Sequence, residues 1–173
     1  NKRPKLVVMD TMNFWMDVAM DDLKRVLTMV DVLCINDEEA RQLSDQYSLR
    51  TAAKLIMAMG PKTLIIKKGE HGALLFQGDR MFYCPALPLE DVFDPTGAGD
   101  TFVGGFIGYL AKTDDISFEN MRRELQAKVN KDERSKVTQD SFVQKLRTQY
   151  AYQDKSEKGL EWFVANLDST YFV

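Results

Sequence analysis

The chain has 173 residues, of which 45% are hydrophobic and 28% are charged, and its formal net charge is -3. This composition is typical of a folded globular domain, and the mild negative charge argues against a nucleic-acid partner or an anionic membrane surface, since both favour basic patches. No run approaches the ~20 apolar residues of a membrane-spanning helix, so we expect no membrane partner.

The first half of the chain alternates short apolar runs with helical patterns. Lys5–Asp10, Asp31–Ile35 and Thr63–Lys67 are rich in Val, Ile and Leu, which is typical of strands buried on both faces of a parallel sheet. Between them, Met20–Val30 and Leu49–Met59 are the clearest helical windows, and the second repeats apolar residues at the spacing of one buried face. Strands that alternate with helices of this length predict an α/β sandwich.

A hairpin and a long helix are predicted next. Ala73–Gln77 and Arg80–Cys84 are separated only by Gly78 and Asp79, which predicts an antiparallel hairpin at the edge of a mostly parallel sheet. A loop that contains three prolines then leads to a helix from about residue 99 to residue 112. The segment after residue 117 is highly charged and has no strand-like run, so we predict a helical tail with helices at roughly 118–130, 139–150 and 157–166.

Two features bear on the cellular compartment. Cys34 and Cys84 lie within apolar runs, and because unpaired cysteine is usually buried we expect reduced thiols inside the fold rather than a disulfide. The first residues, NKRPKLVVMD, contain neither an initiating Met nor the apolar core of a signal peptide. We therefore expect a cytoplasmic protein, and a sequence that begins in the middle of a longer chain.

The most informative stretch is DPTGAGDTFVGG, residues 94–105. Its glycine turn enters a helix whose first N–H groups lack partners, and the helix dipole adds roughly half a positive charge there, so the turn attracts anions. The stretch has no Gly-Lys-Ser/Thr and is therefore not a Walker loop. Phe102 occupies the position of the third glycine of a dinucleotide fingerprint, which excludes that motif as well.

Asp100 lies in the first turn of this helix, where the positive end keeps a carboxylate ionised. Such an acid can accept the proton of an attacking hydroxyl while the amides of Gly97, Ala98 and Gly99 stabilise charge on a transferring phosphoryl group. The residues alone leave a second interpretation open, in which Asp100 only caps the helix and the glycines only permit a tight turn.

The run DPTGAGDTFVGGFIGYLA resembles the C-terminal signature of the PfkB carbohydrate and nucleoside kinases. The resemblance implies that Asp100 is the catalytic base and that the preceding glycine turn is the anion hole. It also implies that Asp94 and Thr96 belong to the loop that meets the nucleotide phosphates. ATP and Mg²⁺ are the cofactors it implies, a sugar or nucleoside is the small-molecule substrate, and the fold is a ribokinase-like three-layer α/β/α sandwich.

Asn36-Asp-Glu-Glu39 resembles the Asn-x-x-Glu motif of the same family. That motif would place Asn36 near the phosphates and would have Asn36 and Glu39 position Mg²⁺ indirectly, through water. The same two residues are also spaced as a helix capping box, which needs no metal. Both roles are compatible with the sequence.

Lys67-Lys-Gly69-Glu-His-Gly72 stands where the family usually has a Thr-x-Gly-x-x-Gly turn that touches the nucleotide. Gly69 and Gly72 match this pattern, whereas Lys67 replaces the threonine. A lysine can still meet phosphate as a point charge. His71, the only histidine, is predicted to lie in a surface loop.

Asp10-Thr-Met-Asn13 resembles the Asp-x-Asn region of the family, although an acid at the end of a strand is also ordinary loop chemistry. The Met and aromatic residues around it are predicted to pack in the core or at the sheet edge rather than to hold a cofactor. They are Met9, Met12, Phe14, Trp15 and Met16.

The resemblance covers roughly residues 1–123, the C-terminal half of the family's domain, and leaves residues 124–173 as a helical tail of uncertain origin. We expect an incomplete fragment. The alternatives are a non-catalytic nucleotide-binding remnant and a fusion whose tail derives from a peptidyl-prolyl isomerase or chaperone. The tail from about residue 140 weakly resembles a bacterial parvulin-type peptidyl-prolyl isomerase. A sheet edge left open by a missing half favours association of chains, and a homodimer is the simplest such product.

Overall fold

The computed structural model describes residues 3–86 and 97–130, the last three of them by their backbone only. These residues form a five-stranded sheet with helices on both faces. The strands are β1 (Val8–Asp10), β2 (Val32–Asn36), β3 (Thr63–Lys67), β4 (Ala73–Gln77) and β5 (Arg80–Cys84). The helices are α1 (Asn13–Val18), α2 (Met20–Leu27), α3 (Asp37–Ser44), α4 (Leu49–Ala58), α5 (Ala98–Thr113) and α6 (Phe118–Asn130).

The sheet has the strand order β1-β2-β3-β4-β5. The first three strands are parallel, with Val32 opposite Val8 and Thr63, whereas β4 and β5 are antiparallel additions. The predicted hairpin is confirmed to the residue, because Gln77 pairs with Arg80 across a two-residue turn. The sheet is therefore mixed, with a parallel half that carries the carboxyl ends of three strands at one edge.

Successive residues of β2 and β3 are buried against opposite helical layers. Leu33 and Ile66 belong to a core shared with helices α1 to α4, while Cys34 and Ile65 belong to a core shared with α5 and α6. All four are fully buried. Strands that are apolar on both faces need a helical layer on each side, so the three-layer sandwich is confirmed for the described residues.

Helix α5 runs across the sheet with a defined direction. Val103, Phe106 and Leu110 line one side of the helix and are buried in the second core. At its C-terminal end the Asp114 carbonyl accepts a hydrogen bond from Lys5 Nζ at 2.9 Å, and Lys5 precedes β1. The N-terminus of α5 therefore lies toward the carboxyl edge of the parallel strands.

Several predictions about single elements can be compared with the structure. The helix predicted at 118–130 is confirmed, and the predicted domain boundary after residue 123 falls inside it. Helix α1 was not predicted, α3 was predicted only by the capping box at its start, and β1 is shorter than the run that suggested it. The helices predicted at 139–150 and 157–166 lie outside the described residues.

Both cysteines are buried thiols, as the sequence predicts. Cys84 Sγ donates to the carbonyl of Leu125 at 3.0 Å, which joins β5 to α6. Among the described helices, none combines the length and the apolar character that a bilayer crossing requires.

Candidate functional site

Polar side chains stand at the carboxyl ends of all three parallel strands. Asp10 is the last residue of β1, Asn36 the last of β2 and Lys67 the last of β3. Asn36 and Lys67 are paired in the sheet register. Because ligands of open α/β sheets bind outside the carboxyl ends of the strands, this edge is the natural place for a site.

An ion pair spans this edge of the sheet. Lys67 Nζ lies 2.6 Å from Asp10 Oδ2, although β2 separates their strands, and the two side chains are 19% and 24% exposed. The backbone N–H of Thr11 donates to the other carboxylate oxygen, Asp10 Oδ1, at 2.9 Å. A pair this sheltered is screened by solvent much less than a surface pair, so it fixes where the ammonium group lies.

The glycine turn at the start of α5 lies beside the same ammonium. Gly97 precedes the helix with φ +75°, and no side chain of the described residues caps this end of the helix. A Cβ atom built on Gly99 would stand 3.0 Å from Lys67 Nζ. Gly97, Ala98 and Asp100 are exposed. The structure therefore brings the anion-attracting turn, Asp100 and the Lys67 cation to one face.

The structure describes two of the other predicted nucleotide-binding residues and does not describe two more. Gly69 and Gly72 lie in a 3-10 turn directly after β3, with φ +53° and +94°, and the turn is closed by the Lys68 N–H donating to the Gly72 carbonyl at 2.8 Å. Asp94 and Thr96 lie outside the described residues, so their placement stays a prediction.

Asn36 and Glu39 form the predicted capping box of α3. The Glu39 N–H donates to Asn36 Oδ1 and the Asn36 N–H donates to Glu39 Oε2, each at 2.7 Å. The Glu39 side chain is buried. Burial raises the pKa of the Glu39 carboxyl above its usual 4.5 and the nearby charge of Asp10 adds to this, while the Asn36 N–H and the Lys67 ammonium act in the opposite direction.

Glu39→Gln is expected to change how stability depends on pH. The pKa of Glu39 is raised in the folded protein, so its contribution to the free energy of unfolding is lost as pH rises from about 4.5 through the folded pKa. Glutamine can complete the same capping box without titrating. We therefore expect the variant to gain stability relative to the parent chain across this pH window, measured by urea unfolding at several pH values. A gain that stays constant or shrinks would contradict this.

The described residues contain no cluster of three His, Cys, Asp or Glu side chains placed to bind a metal ion. Asp10 is already paired with Lys67, and Glu39 is engaged by the Asn36 N–H. These donors therefore do not form a direct coordination shell, but they fit an ion held through water, as the Asn-x-x-Glu resemblance implies. This arrangement agrees with the oxygen preference and retained waters of Mg²⁺.

The sequence does not predict that Asp10 pairs with Lys67. An acid at the end of a strand is common, and its partner Lys67 lies on a strand two positions away in the sheet. The signal in the sequence is the combination of an acid and a lysine that each end a parallel strand. The pair can be predicted only if the strand order is known, because this order places the ends of β1 and β3 close enough for the Lys67 side chain to reach Asp10.

The packing prediction for the Met and aromatic residues is partly wrong. Met16 is buried and Met9 packs against the first core, as expected. Met12, Phe14 and Trp15 are instead about half exposed. His71 is exposed, which confirms its predicted position in a surface turn.

A second concave surface lies away from this site. It is a small pocket of about 150 Å³ between α4 and the β4–β5 hairpin, and Arg50, Lys54, Asp79 and Arg80 are among its lining residues. Three basic side chains can attract an anion without specificity. Phosphate binding at the glycine turn must therefore be distinguished experimentally from anion binding at this basic pocket.

An α/β sandwich with a basic, anion-attracting turn at the carboxyl edge of its parallel strands has the layout of a protein that handles phosphorylated small molecules. The chain belongs to the pfkB family of carbohydrate kinases, whose profile matches residues 2–120.

Several curated proteins are similar to this chain. The cytidine kinase of Thermococcus kodakarensis is 36% identical over 92 residues, which cover 51% of this chain and 33% of that protein. The aminoimidazole riboside kinase of Salmonella typhimurium is 36% identical over 90 residues, 52% of this chain and 28% of that protein. Mouse ribokinase is 31% identical over 154 residues, 84% of this chain and 44% of that protein. The chain thus spans between 28% and 44% of these relatives.

Solved structures agree with the fold. Aminoimidazole riboside kinase from Salmonella enterica, complexed with aminoimidazole riboside and an ATP analogue, has a TM-score of 0.62 at 27% identity, over 72% of this chain and 43% of that one. A ribokinase II from E. coli, in complex with ATP and Mg²⁺, has a TM-score of 0.58 at 26% identity, over 70% and 40% of the two chains. The ribokinase-like fold is therefore established for this chain.

Proposed function

We propose that this chain provides the phosphoryl-transfer part of an ATP-dependent kinase that acts on a hydroxyl group of a sugar or nucleoside. The observation that carries the proposal is the position of the Gly97–Gly99 turn, with Lys67 Nζ beside Gly99 and Asp100 one residue further on. Positive potential and a carboxylate on one exposed face suit a reaction that moves a phosphoryl group to a hydroxyl.

Each group of the turn has a defined role in this proposal. Asp100 accepts the proton of the acceptor hydroxyl as its oxygen forms a bond to the terminal phosphorus, while the bond from that phosphorus to the leaving oxygen breaks and ADP leaves. The N–H groups of Gly97, Ala98 and Gly99 stabilise negative charge on the transferring group. Base and anion hole thus come from a single helix start.

The remaining polar residues are proposed to hold the nucleotide and its metal. Asp94, Thr96, Gly69 and Gly72 would border the nucleotide, and Asn36 would orient its phosphates. Glu39, together with Asn36, would hold Mg²⁺ through water, in keeping with the E. coli neighbour that binds ATP and Mg²⁺. When bound, the ion neutralises phosphate charge.

The short coverage of the relatives supports a second candidate. The chain spans 28% to 33% of the first two curated relatives, and groups that choose the acceptor can belong to the uncovered part. We therefore propose little or no turnover by the isolated chain, and nucleotide binding without turnover is the second candidate. We also propose a cytoplasmic location and a homodimer that forms through an open sheet edge. Residues 124–173 are proposed to have a separate origin.

Nucleotide binding and turnover together test the proposal. ATP and AMP binding would be measured by calorimetry with Mg²⁺, and ADP release would be followed over a panel of sugars and nucleosides. A preference for ATP over AMP, with ADP release that depends on one acceptor, supports the kinase. A preference for ATP without acceptor-dependent release supports the second candidate. Equal binding of ATP and AMP contradicts both.

A further inference from the structure

The Lys67 side chain has an unusual position for a lysine. Its side chain is 19% exposed, and its ammonium group is 2.6 Å from Asp10 Oδ2 and lies beside Gly99. Lysine ordinarily keeps its charge in water, and sheltering a charged pair costs desolvation that only good geometry repays. This chain therefore has a fixed cation at a position where the family pattern has an uncharged threonine.

The ammonium has the capacity to bind a second partner while it stays on Asp10. An ammonium group has three N–H donors, and hydrogen bonds that involve an ion are about twice as strong as neutral ones. Asp10 is the only hydrogen-bond partner of Lys67 Nζ among the described residues. An anion at the glycine turn would lie within reach of this cation.

Gly99 keeps this approach open. A Cβ atom at residue 99 would meet Lys67 Nζ at 3.0 Å, closer than ordinary contact, so a side chain there would crowd the ammonium. With glycine there, a ligand bound at the turn can approach the ammonium. The next residue is Asp100, the proposed base. The cation would therefore lie near the phosphoryl group that is transferred and not near the base or ribose of the nucleotide.

We propose that Lys67 binds the terminal phosphate of ATP and that Asp10 is a positioning residue that holds the ammonium beside Gly99. This inference rests on the proposed function and adds the group that distinguishes a triphosphate from a monophosphate. The competing interpretation is that Lys67 only neutralises Asp10 and the nearby Glu39, whose charges it faces. The two differ in what happens to ATP binding when each partner is removed separately.

A double-mutant cycle on the full chain tests this inference. ATP and AMP binding would be measured by calorimetry, with Mg²⁺, for the parent chain, Lys67→Met, Asp10→Asn and the double variant. We expect Lys67→Met to weaken ATP binding about tenfold, the effect of one charge-assisted hydrogen bond, and to leave AMP binding unchanged. In the Asp10→Asn background the same substitution should weaken ATP binding by less than about threefold, since the ammonium is no longer held in place.

Matched variants control for charge and folding. Lys68→Met removes the positive charge of the next residue. The Lys68 ammonium lies over the Tyr83 ring and not beside Gly99, so this variant should leave ATP binding nearly unchanged. Lys67→Thr restores the family residue, whose hydroxyl can still donate a neutral hydrogen bond to the nucleotide, so it should weaken ATP binding but less than Lys67→Met does. Weaker binding in both variants covers the case in which methionine disturbs folding. Circular dichroism and thermal unfolding would verify each variant.

Three outcomes would overturn the inference. ATP binding that survives both Lys67→Met and Lys67→Thr would remove Lys67 from the site. A Lys67→Met effect of equal or larger size in the Asp10→Asn background would show that Asp10 does not position the ammonium. If the parent chain binds ATP no better than AMP, the proposed function fails and the inference fails with it; only the first two outcomes leave the proposed function intact.

Discussion

Asp100→Asn is expected to lower the rate of phosphoryl transfer by about 10²- to 10⁴-fold, the contribution of a positioned general base. Asparagine has nearly the same shape and keeps a side-chain oxygen at the first turn of α5, but it cannot accept a proton. The loss should therefore be in kcat and not in binding. ATP affinity should stay equal or rise slightly, because a negative charge next to the glycine turn has been removed. Because little turnover is proposed for the isolated chain, the rate compared is its residual single-turnover ADP release with the best acceptor, followed over long incubations, and calorimetry measures the affinity.

Asp114→Asn is the matched control at the other end of the same helix. Asp114 has φ +50°, a conformation that asparagine tolerates, and it is paired with Lys5 far from the glycine turn. This variant should keep the parent rate. If both substitutions reduce the rate equally, or if Asp100→Asn leaves a measurable acceptor-dependent ADP release of the parent chain unchanged, Asp100 is not the base and the helix-capping interpretation becomes the better one.

Gly72→Ala is expected to cause a large loss of stability. Gly72 has φ +94°, and a Cβ atom there would stand 2.0 Å from the Cys84 carbonyl oxygen and 2.7 Å from Ala86 N, both of them backbone atoms. The backbone conformation alone costs a residue with a side chain about 1–3 kcal/mol. The overlap must in addition displace the end of β5. We expect a total loss above about 3 kcal/mol, seen as a lower urea midpoint.

Gly69→Ala separates these two contributions. Gly69 lies in the same turn with φ +53°, and a Cβ atom there would meet nothing within 4 Å. This variant should lose only about 1–2 kcal/mol, the cost of a left-handed conformation. Equal losses of stability in Gly69→Ala and Gly72→Ala would contradict this. They would mean that the turn shifts away from β5 at little cost, and that glycine at residue 72 is not needed for close packing.

Much of the sandwich could be predicted because its strands are short and apolar on both faces. The Thr63–Lys67 strand and the β4–β5 hairpin were bounded correctly, since apolar runs and a Gly-Asp turn mark their ends. Helices α1 and α3 have only six and eight residues. The six residues of α1 give too few turns for a periodic pattern. Helix α3 is as long as α2, but it begins directly at the capping box, which marks its start and not its length.

The candidate site could be predicted in part for a different reason. The glycine turn and Asp100 are contiguous in sequence, so local chemistry was enough to propose them. The pair of Asp10 with Lys67 joins residues 57 positions apart, and it depends on the order and register of β1, β2 and β3. Half exposure of Phe14 and Trp15 also could not be predicted, because a helix pattern does not tell which of its sides another element covers.

The most direct test of the account is to locate bound ATP on the protein. Amide signals of the Asp100→Asn variant would be followed by ¹H–¹⁵N NMR as Mg²⁺ and ATP are added, with AMP as the comparison. We predict that ATP, and not AMP, shifts the signals of Gly97, Ala98 and Gly99. Shifts confined to the basic pocket around Arg50 and Arg80, with the turn unchanged at saturating ATP, would contradict a phosphoryl-transfer site at this helix start.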